Sequence, residues 1–437
     1  MSHSQLPGPE PDQLNTRRWL NRNVFGFGLT SLLSDLGHEM ATAILPQFMQ
    51  TIGASAAALG FIEGTADALS SFVKLGAGYR SDKVGHRKRW TVLGYALTAV
   101  SKAVFAFALA WPVILLGRVV GWFGRGIRGP LRDAMLADSV APESLGKAFG
   151  FHRASDTIGA VLGPLAAFGL LSIVADHPEM VQALGGWFPS LAGAVGGEFR
   201  IVFLLTLVPG ILSVVSIALL VTEKKRAPNH GLRFMSAVQA MPKDYRWFLL
   251  AVGIFGMADF APTLMILRAT TVLQPQLGII EASRVGALLY LLRNLVYTLA
   301  SYPIGALSDR FSRTRYLAVG YGVAVMTFLG FAFVLPSIWW FILVFSLAGL
   351  FIAWEDTVEG IAVRDYVDKN LAGTAYGILG AVNGMGDFVS SLLVGFLWTM
   401  IGPAWGFGYA VLAGLLGMTL MFCTKRSKHP QNMAAGK

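Results

Sequence analysis

The feature that most constrains this chain is a succession of apolar segments, each long enough to cross a lipid bilayer. A spanning helix needs about 20 apolar residues. Only 14% of the 437 residues are charged and 54% are apolar, whereas soluble globular proteins carry about 25% charged residues. The sequence therefore predicts an all-α membrane protein. We expect twelve spans, at residues 24–48, 58–78, 90–110, 113–137, 147–172, 200–221, 247–270, 283–305, 316–335, 338–362, 373–400 and 404–423.

The basic residues of the connections fall on one side of these spans. Lys and Arg number five in 80–89, six in 222–246, three in 310–315 and four in 424–437. The opposite connections hold none, namely 49–57, 111–112, 174–199, 271–282, 336–337 and 401–403. The positive-inside rule places the basic set, with both termini, in the cytoplasm. We expect a monomeric, multi-pass protein of the bacterial inner membrane. The net charge of +10 follows this rule, so nucleic acid is not an expected partner.

An internal repeat divides the chain into parallel halves. The loop positions Gly78, Ser81, Asp82 and Lys83 recur as Gly305, Ser308, Asp309 and Arg310, an offset of 227 residues. The same offset aligns Asp67 with Asn294 and Asp138 with Asp365. Parallel repeats in transporters place the substrate site between the halves. We expect tails at 1–23 and 424–437, six-helix bundles at 24–221 and 247–423, and a cytoplasmic central loop at 222–246.

The first copy of this loop carries a recognisable motif. Gly-x3-Asp-Lys/Arg-x-Gly-x-Arg-Lys/Arg is filled by Gly78, Asp82, Lys83, Gly85, Arg87 and Lys88. It resembles the loop 2–3 signature of the major facilitator superfamily (MFS). The second copy keeps Gly305, Asp309 and Arg310 but has Ser312 and Thr314 where Gly and Arg are expected. The resemblance implies the MFS fold of two pseudo-symmetric six-helix bundles and a secondary transporter, not an enzyme, with no cofactor.

The family resemblance also implies a conformational switch at the cytoplasmic end. In the family, the loop aspartate joins a charged network and meets a helix N-terminus of the other half. Helix N-termini attract anions, and the start of span 11 near residues 373–375 is the expected partner. The residues assigned to this switch are Gly78, Asp82, Lys83, Gly85, Arg87, Lys88, Arg128, Arg132, Asp138, Asp309 and Arg310.

Two pairs of carboxylates lie inside the first spans. Asp35 and Glu39 in span 1, like Glu63 and Asp67 in span 2, are four residues apart. Such residues share one helix face about 6 Å apart. Ionisable groups at membrane depth are costly and are functional candidates by default. Each pair needs a nearby cation or a bound proton. The pattern predicts proton coupling or substrate binding, or alternatively polar contacts between helices.

Span 4 supplies a cation for these carboxylates. Arg118 opens the segment Arg-Val-Val-Gly-Trp-Phe-Gly. It resembles the family's Arg-x3-Gly-x-Gly motif, whose arginine is implicated in proton transfer. The first glycine falls at 121 instead of 122. A coupling role and a structural ion pair both stay open for Arg118. Arg128 and Arg132 lie further towards the cytoplasm, and we expect them to join Asp82 and Asp138.

Two further motifs concern packing and gating. Gly159, Gly163 and Pro164 in span 5 resemble the family's antiporter motif, although a plain Gly-x3-Gly packing face explains them almost as well. Glu355 and Glu359 lie on one face of span 10, the counterpart of span 4. Acid there facing base in span 4 predicts a gate between the halves.

No phosphate-binding loop, nucleophile triad or zinc-ligand spacing is present, so the expected energy source is an ion gradient. The sequence favours a proton-coupled exporter, an antiporter that moves a small organic molecule by alternating access. One alternative is a carrier of a metal ion or metal chelate, because Asp35, His38, Glu39, Glu63 and Asp67 offer oxygen and imidazole ligands. The others are an importer of an organic anion and a membrane sensor that transports nothing.

Overall fold

A computed structural model describes residues 19–84, 87–141, 144–223, 241–308, 310–367 and 372–424. Every regular element in these ranges is helical. The first half contains α1 (Arg22–Thr51), α2 (Ala56–Val84), α3 (Lys88–Phe105), α4 (Trp111–Ala137), α5 (Leu145–Asp176), α6 (Pro178–Trp187), α7 (Gly197–Leu205) and α8 (Leu207–Leu220). A short 3-10 helix, Pro189–Leu191, follows α6.

The described part of the second half holds seven α-helices. It contains α9 (Lys243–Gly256), α10 (Pro262–Leu277), α11 (Ile279–Ser308), α12 (Arg313–Ala332), α13 (Ile338–Ala362), α14 (Ala372–Met400) and α15 (Pro403–Cys423). A 3-10 turn, Val363–Asp365, follows α13. Helices α7 and α8 together form one span, as do α9 and α10. The expected all-α fold of two six-helix bundles is confirmed.

Membrane character is clearest in the helices with few charged residues. In the described part of the chain, six helices are long and apolar enough to cross a membrane. They are 147–176, 197–220, 313–332, 338–362, 375–400 and 403–423. The first four long helices carry more ionisable residues, because they supply much of the polar interior described below.

An ion pair recurs at the basic-loop end of each half. Arg87 Nη1 lies 2.9 Å from Asp138 Oδ2 in the first half. In the second half, Arg313 Nη1 lies 2.6 Å from Asp365 Oδ1. Asp365 is the residue that the 227-residue offset aligns with Asp138. The internal repeat is thus a repeat of contacts as well as of sequence.

Close packing of small residues joins α1 to α5 within the first half. A Cβ atom at Gly163 would lie 2.9 Å from the Leu36 carbonyl oxygen, and one at Gly159 would overlap the Leu32 carbonyl. Pro164 lies within the same helix. The motif Gly159, Gly163 and Pro164 therefore lies where two helix backbones approach closely, as small residues permit in membrane proteins.

The two halves touch along α2 and α14. Along α2 and α14, Gly395 meets the Ala56 backbone, Gly64 meets Phe388 and Gly384 meets Ser71. The halves are therefore in close contact at the end whose loops lack basic residues.

Candidate functional site

A cavity of about 500 Å³ lies between the halves. The first half contributes residues of α1, α2, α4 and α5 to its walls. The second half contributes residues of α10, α11 and α13, together with Ala261, which directly precedes α10. The charged residues in its walls are Asp35, Glu39, Glu63, Asp67, Lys74, Arg118, Arg125, Arg153, Asp156, Arg293 and Asp356. Four of the five residues predicted for coupling are carboxylates, and all five line this cavity.

Arg118 forms a buried ion pair with Glu63. Arg118 Nη2 donates to Glu63 Oε1 over 2.7 Å, and the two side chains are only 4% and 5% exposed. The guanidinium also lies 5.7 Å from the centre of the Phe105 ring. Removing either partner would leave a buried charge unpaired, which is strongly destabilising. The structure thus places Arg118 against span 2 and not against the Asp35 and Glu39 pair of span 1.

Arg128 lies elsewhere than the sequence suggested. Its guanidinium is 3.9 Å from Asp35 Oδ1 and stacks over the Tyr95 ring at 4.1 Å. Asp138 is bonded to Arg87 instead, and Arg132 Nε bonds to the neighbouring Asp133 over 2.9 Å. Ten residues at 3.6 per turn rotate Arg128 by roughly 80° from Arg118. It therefore faces α1 and α3, and the expected contact of Arg128 with Asp138 is not formed.

Of the four carboxylates predicted in spans 1 and 2, two have no basic partner in contact among the described residues. In the part of the chain that the structure describes, neither Glu39 nor Asp67 forms an ion pair. Glu39 faces Tyr290 of α11, and its Oε2 atom has no hydrogen-bond partner. Each pair predicted from the sequence is therefore split: Asp35 and Glu63 lie against arginines, whereas Glu39 and Asp67 form no ion pair among the described residues.

A polar bridge crosses the interface beside the cavity. Arg153 of α5 donates to the Tyr297 hydroxyl of α11 over 2.9 Å, and Tyr297 donates to Asp356 of α13 over 2.8 Å. Asn294 of α11 donates to the Ala160 carbonyl of α5 over 3.2 Å. Sequence reasoning missed this bridge. Arg153 and Asp356 were visible as ionisable residues within spans, but nothing in the sequence marks Tyr297.

Glu355 and Glu359 contact their own half. Glu359 accepts from the Tyr321 hydroxyl over 2.5 Å and from Asn383 Nδ2 over 2.9 Å. Both partners belong to the second half, and Glu355 faces Asp259 of that half. The acid of span 10 that reaches the first half is Asp356, through Tyr297. A gate made by Glu355 and Glu359 against span 4 is thus a prediction without a described contact.

The basic loop ends in a capped helix. The Glu223 carboxylate accepts from the backbone N–H groups of Arg87, over 2.5 Å, and Lys88, over 3.2 Å. An acid at the first turn of α3 is favourable because it satisfies free N–H groups. Lys88 Nζ also donates to the Ala218 carbonyl over 2.8 Å. These contacts fix the start of α3 to the end of α8.

Part of the predicted switch lies outside what is described. The backbones of Gly78, Asp82 and Lys83 form the end of α2, and their side chains lie outside the described residues, as do Gly85 and Asp309 entirely. Arg310 is exposed after α11. Helix α14 begins at Ala372, so the expected helix N-terminus is present.

The described residues do not form a group of side chains suited to binding a metal ion. In the described ranges, no group of three or more His, Cys, Asp or Glu side chains is arranged to hold one. His38 packs edge-on against Trp122, with ring centres 5.6 Å apart. The five residues considered for a metal in the sequence are thus spread around the cavity.

A charged cavity between two parallel six-helix bundles defines a secondary transporter. The model of the Major Facilitator Superfamily matches residues 27–279 and 248–436. The chain therefore belongs to the Major Facilitator Superfamily, as its loop motif indicated. It is an integral, multi-pass membrane transporter.

Individual relatives place the chain within this family. It is 33% identical over 409 residues to the MFS-type transporter MJ1317 of Methanocaldococcus jannaschii, covering 93% of this chain and 96% of the relative. It is 23% identical over 389 residues to the quinolone resistance protein NorA of Staphylococcus aureus strain COL, covering 86% and 90%.

Solved structures share the fold at low identity. A bacterial homologue of the human lysosomal transporter Spinster, inward-facing and occupied, matches with a TM-score of 0.70 and 18% identity, covering 95% of this chain and 97% of that one. The nucleoside transporter NupG matches with a TM-score of 0.67 and 14% identity, covering 92% of this chain and 98% of that one. These likenesses concern the fold alone.

Proposed function

We propose that this chain is a proton-coupled exporter of a small organic molecule, working by alternating access. The observation that carries the proposal is the division of the cavity carboxylates. Glu63 is neutralised by Arg118 over 2.7 Å, while Glu39 and Asp67 lie in the cavity wall without an ion pair in the described part of the chain. Unpaired carboxylates at membrane depth favour binding a proton.

Substrate and proton can compete at such a site. Glu39 lies beside Tyr290, and the cavity also presents Trp122 and Tyr297. A cavity of about 500 Å³ falls within the size range of small-molecule sites. Substrate bound near Glu39 displaces the proton on one side of the membrane, and protonation on the other side releases the substrate. That exchange is the simplest mechanism of antiport.

Direction and orientation form part of the proposal. We place the basic loops and both termini in the cytoplasm, so the described state, whose halves are in close contact at the opposite end, is inward-facing. We keep the six-helix bundles at 24–221 and 247–423, with 222–246 as the link between them. The likeness to NorA, a quinolone resistance protein, supports export of an organic compound.

The switch assignment extends the same proposal. We assign to Asp82 the stabilisation of one conformation, at the end of the molecule where Arg87 and Asp138 form an ion pair of 2.9 Å. Loss of Asp82 shifts the population of states and leaves insertion intact. Asp82→Asn therefore lowers turnover at matched expression, whereas transport at the unaltered rate contradicts the assignment.

A second candidate function is import of an organic anion. One observation favours it: Arg125 lines the cavity, stacks over Trp122 at 5.0 Å and forms no ion pair in the described residues. Its guanidinium is free to bind a carboxylate or phosphate of a substrate. Carriage of a metal ion gains no such support, because no suitable ligand group is described.

One experiment separates these functions. A chemically diverse panel, including organic cations and organic anions, is offered to inside-out vesicles with and without an imposed pH gradient. A proton-coupled exporter accumulates its substrate only when the vesicle interior is acidic. Accumulation that ignores the pH gradient refutes proton coupling, and uptake of anions into right-side-out vesicles alone supports the importer.

A further inference from the structure

A small pocket lies beside the central cavity, where α1, α3 and α4 meet. Its volume is about 10 Å³, which leaves room for one water molecule or one small ion but not for an organic molecule. We call it the α3–α4 pocket. Its walls are His38 of α1, Thr98, Ser101, Lys102 and Phe105 of α3, and Arg118, Gly121, Trp122 and Arg125 of α4.

The pocket shares a wall with the central cavity. Four residues line both spaces, namely His38, Arg118, Trp122 and Arg125. In this shared wall the His38 and Trp122 rings pack edge-on with their centres 5.6 Å apart, and the Arg125 guanidinium lies 5.0 Å from the Trp122 ring. Lys102 lines the pocket and not the cavity. The pocket is thus a separate space behind the cavity wall.

The walls of the pocket are positively charged. Its charged lining residues are Lys102, Arg118 and Arg125, and no described carboxylate belongs to the lining. Neither Lys102 nor Arg125 forms an ion pair in the part of the chain that the structure describes. An arginine keeps its charge in a protein, so the pocket remains positive.

The nearby carboxylates of α1 and α2 are paired with other residues. Glu63 accepts from Arg118 Nη2 over 2.7 Å and lines the central cavity instead of the pocket. Asp35 Oδ1 lies 3.9 Å from Arg128, whose side chain is not part of the pocket. The chain therefore places no acid of these two helices in the pocket itself.

Three nitrogen donors of the walls also have no acceptor. Lys102 Nζ, Arg118 Nε and Trp122 Nε1 are buried and have no hydrogen-bond partner among the described residues. Lys102 is only 3% exposed and lies in the last turn of α3, where a lysine can bond free carbonyls, but its Nζ atom forms no such bond. An ammonium, a guanidinium and an indole N–H can only donate. These groups therefore require an acceptor from solution.

The hydroxyl groups of the pocket do not change this requirement. Thr98 Oγ1 donates to the Gly94 carbonyl over 2.7 Å, and Ser101 Oγ donates to the Thr98 carbonyl over 2.9 Å. Each hydroxyl has a single proton to donate. The donors available to a bound group are thus the nitrogens of α3 and α4.

We propose that the α3–α4 pocket binds one chloride ion. A water molecule would accept hydrogen bonds but would leave the charges of Lys102 and Arg125 uncompensated, whereas a small anion satisfies the donors and the charges together. A bound chloride also reduces the positive charge that Arg118 and Arg125 present to the central cavity. The site goes beyond the proposed function, since an exporter and an importer would hold it equally.

The site is testable on the full chain in detergent, without any substrate. Thermal unfolding is measured at neutral pH while NaCl replaces sodium gluconate at constant ionic strength, because the gluconate ion is too large for the pocket. A ligand that binds only the folded state raises the Tm with its concentration. We expect a rise of about 2 °C or more in chloride.

Matched lysine variants assign that rise to the pocket. Lys102→Met removes the charge at nearly constant length and should abolish most of the rise. It should fold in gluconate, because it leaves no buried ammonium unpaired. Lys243→Met makes the same change at an exposed lysine of α9 and should retain the rise, which excludes a general effect of the salt. Trp122→Phe removes one donor and should need about tenfold more chloride for the same rise.

Bromide locates the ion, because it replaces chloride and scatters anomalously. Crystals grown in NaBr should show an anomalous peak within hydrogen-bond distance of Lys102 Nζ. The proposal is overturned if the Tm of the native chain is the same in chloride and gluconate, or if the bromide lies in the central cavity. It is also overturned if Lys102→Met, or Trp122→Phe should that variant not fold, responds to chloride as Lys243→Met does. None of these results bears on export, because no transport is measured.

Discussion

Gln47 of α1 and Gln274 of α10 occupy equivalent positions in the two halves, and their side-chain amides meet across the interface. Gln47 Nε2 lies 3.4 Å from Gln274 Oε1, and the residues are 227 positions apart. The pseudo-two-fold axis therefore passes between them, at the closed end of the molecule. Alternating access requires this end to open, so contacts here have to break in every cycle.

A covalent bond across the same end should stop transport. Thr399 Oγ1 accepts from the Ala57 backbone N–H over 2.9 Å. The two Cα atoms are therefore at most about 7 Å apart, at the upper limit for a disulfide. In a Cys423→Ser background, Ala57→Cys with Thr399→Cys should crosslink under oxidation and lose nearly all transport. Gel mobility after cleavage between the halves and vesicle transport measure the two effects.

The two single-cysteine variants and reduction of the disulfide serve as controls for this crosslink. Each single cysteine should transport normally with or without oxidant, and reduction should restore the double variant. Full transport by a completely crosslinked protein would show that this end does not open.

Removing one partner of the buried Arg118–Glu63 ion pair should lower the stability of the protein more than removing both partners. Glu63→Gln leaves Arg118 unpaired at 4% exposure, and we expect a loss of about 3 kcal/mol in the free energy of unfolding. Glu63→Gln with Arg118→Gln should recover most of that loss, because neither charge remains. Unfolding in mixed micelles measures all three proteins. A double variant less stable than Glu63→Gln would contradict this account.

Much of the fold followed from the sequence because its determinants are local. Apolar length, loop charge and the 227-residue repeat all act along the chain, and they predicted the two six-helix bundles. The cavity residues followed for a similar reason: Asp35, Glu39, Glu63, Asp67 and Arg118 are charges within spans, and each needs a polar surrounding.

The pairing of those charges could not be predicted, because it depends on how neighbouring helices are rotated about their axes. The sequence placed Arg128 further towards the cytoplasm than Arg118, but it did not show which helix either side chain meets. In the structure, Glu63 pairs with Arg118 and Asp35 pairs with Arg128. The bridge through Tyr297 could not be predicted for the same reason, because nothing in the sequence indicates which group a tyrosine hydroxyl will contact.

Membrane orientation is a separate prediction. Both termini and the central loop should be cytoplasmic, and the loop at 174–199 should be external. In the Cys423→Ser background, Trp187→Cys should react with an impermeant maleimide added outside, because Trp187 is 82% exposed. Asn229→Cys should react only after permeabilisation. External labelling of Asn229→Cys in intact cells would reverse the topology and, with it, the direction assigned to the described state.

The last prediction separates two carboxylates that are one turn apart on α1. Both side chains line the cavity, but Asp35 lies 3.9 Å from Arg128, whereas Glu39 forms no ion pair in the described residues and its Oε2 atom has no hydrogen-bond partner. A buried carboxylate without a cation beside it favours binding a proton, so Glu39 is the better coupling residue. Glu39→Gln should abolish accumulation driven by a pH gradient while leaving downhill exchange of substrate.

Asp35→Asn should behave differently, because it removes the partner of a buried arginine. It should lower stability and yield, and the protein that does fold should still couple transport to the pH gradient. Uptake into inside-out vesicles, with a pH gradient and with a substrate gradient alone, measures both properties at matched protein amounts. If Glu39→Gln still accumulates substrate against its gradient, coupling lies elsewhere, and Asp67, the carboxylate of span 2 without an ion pair in the described residues, becomes the residue to test.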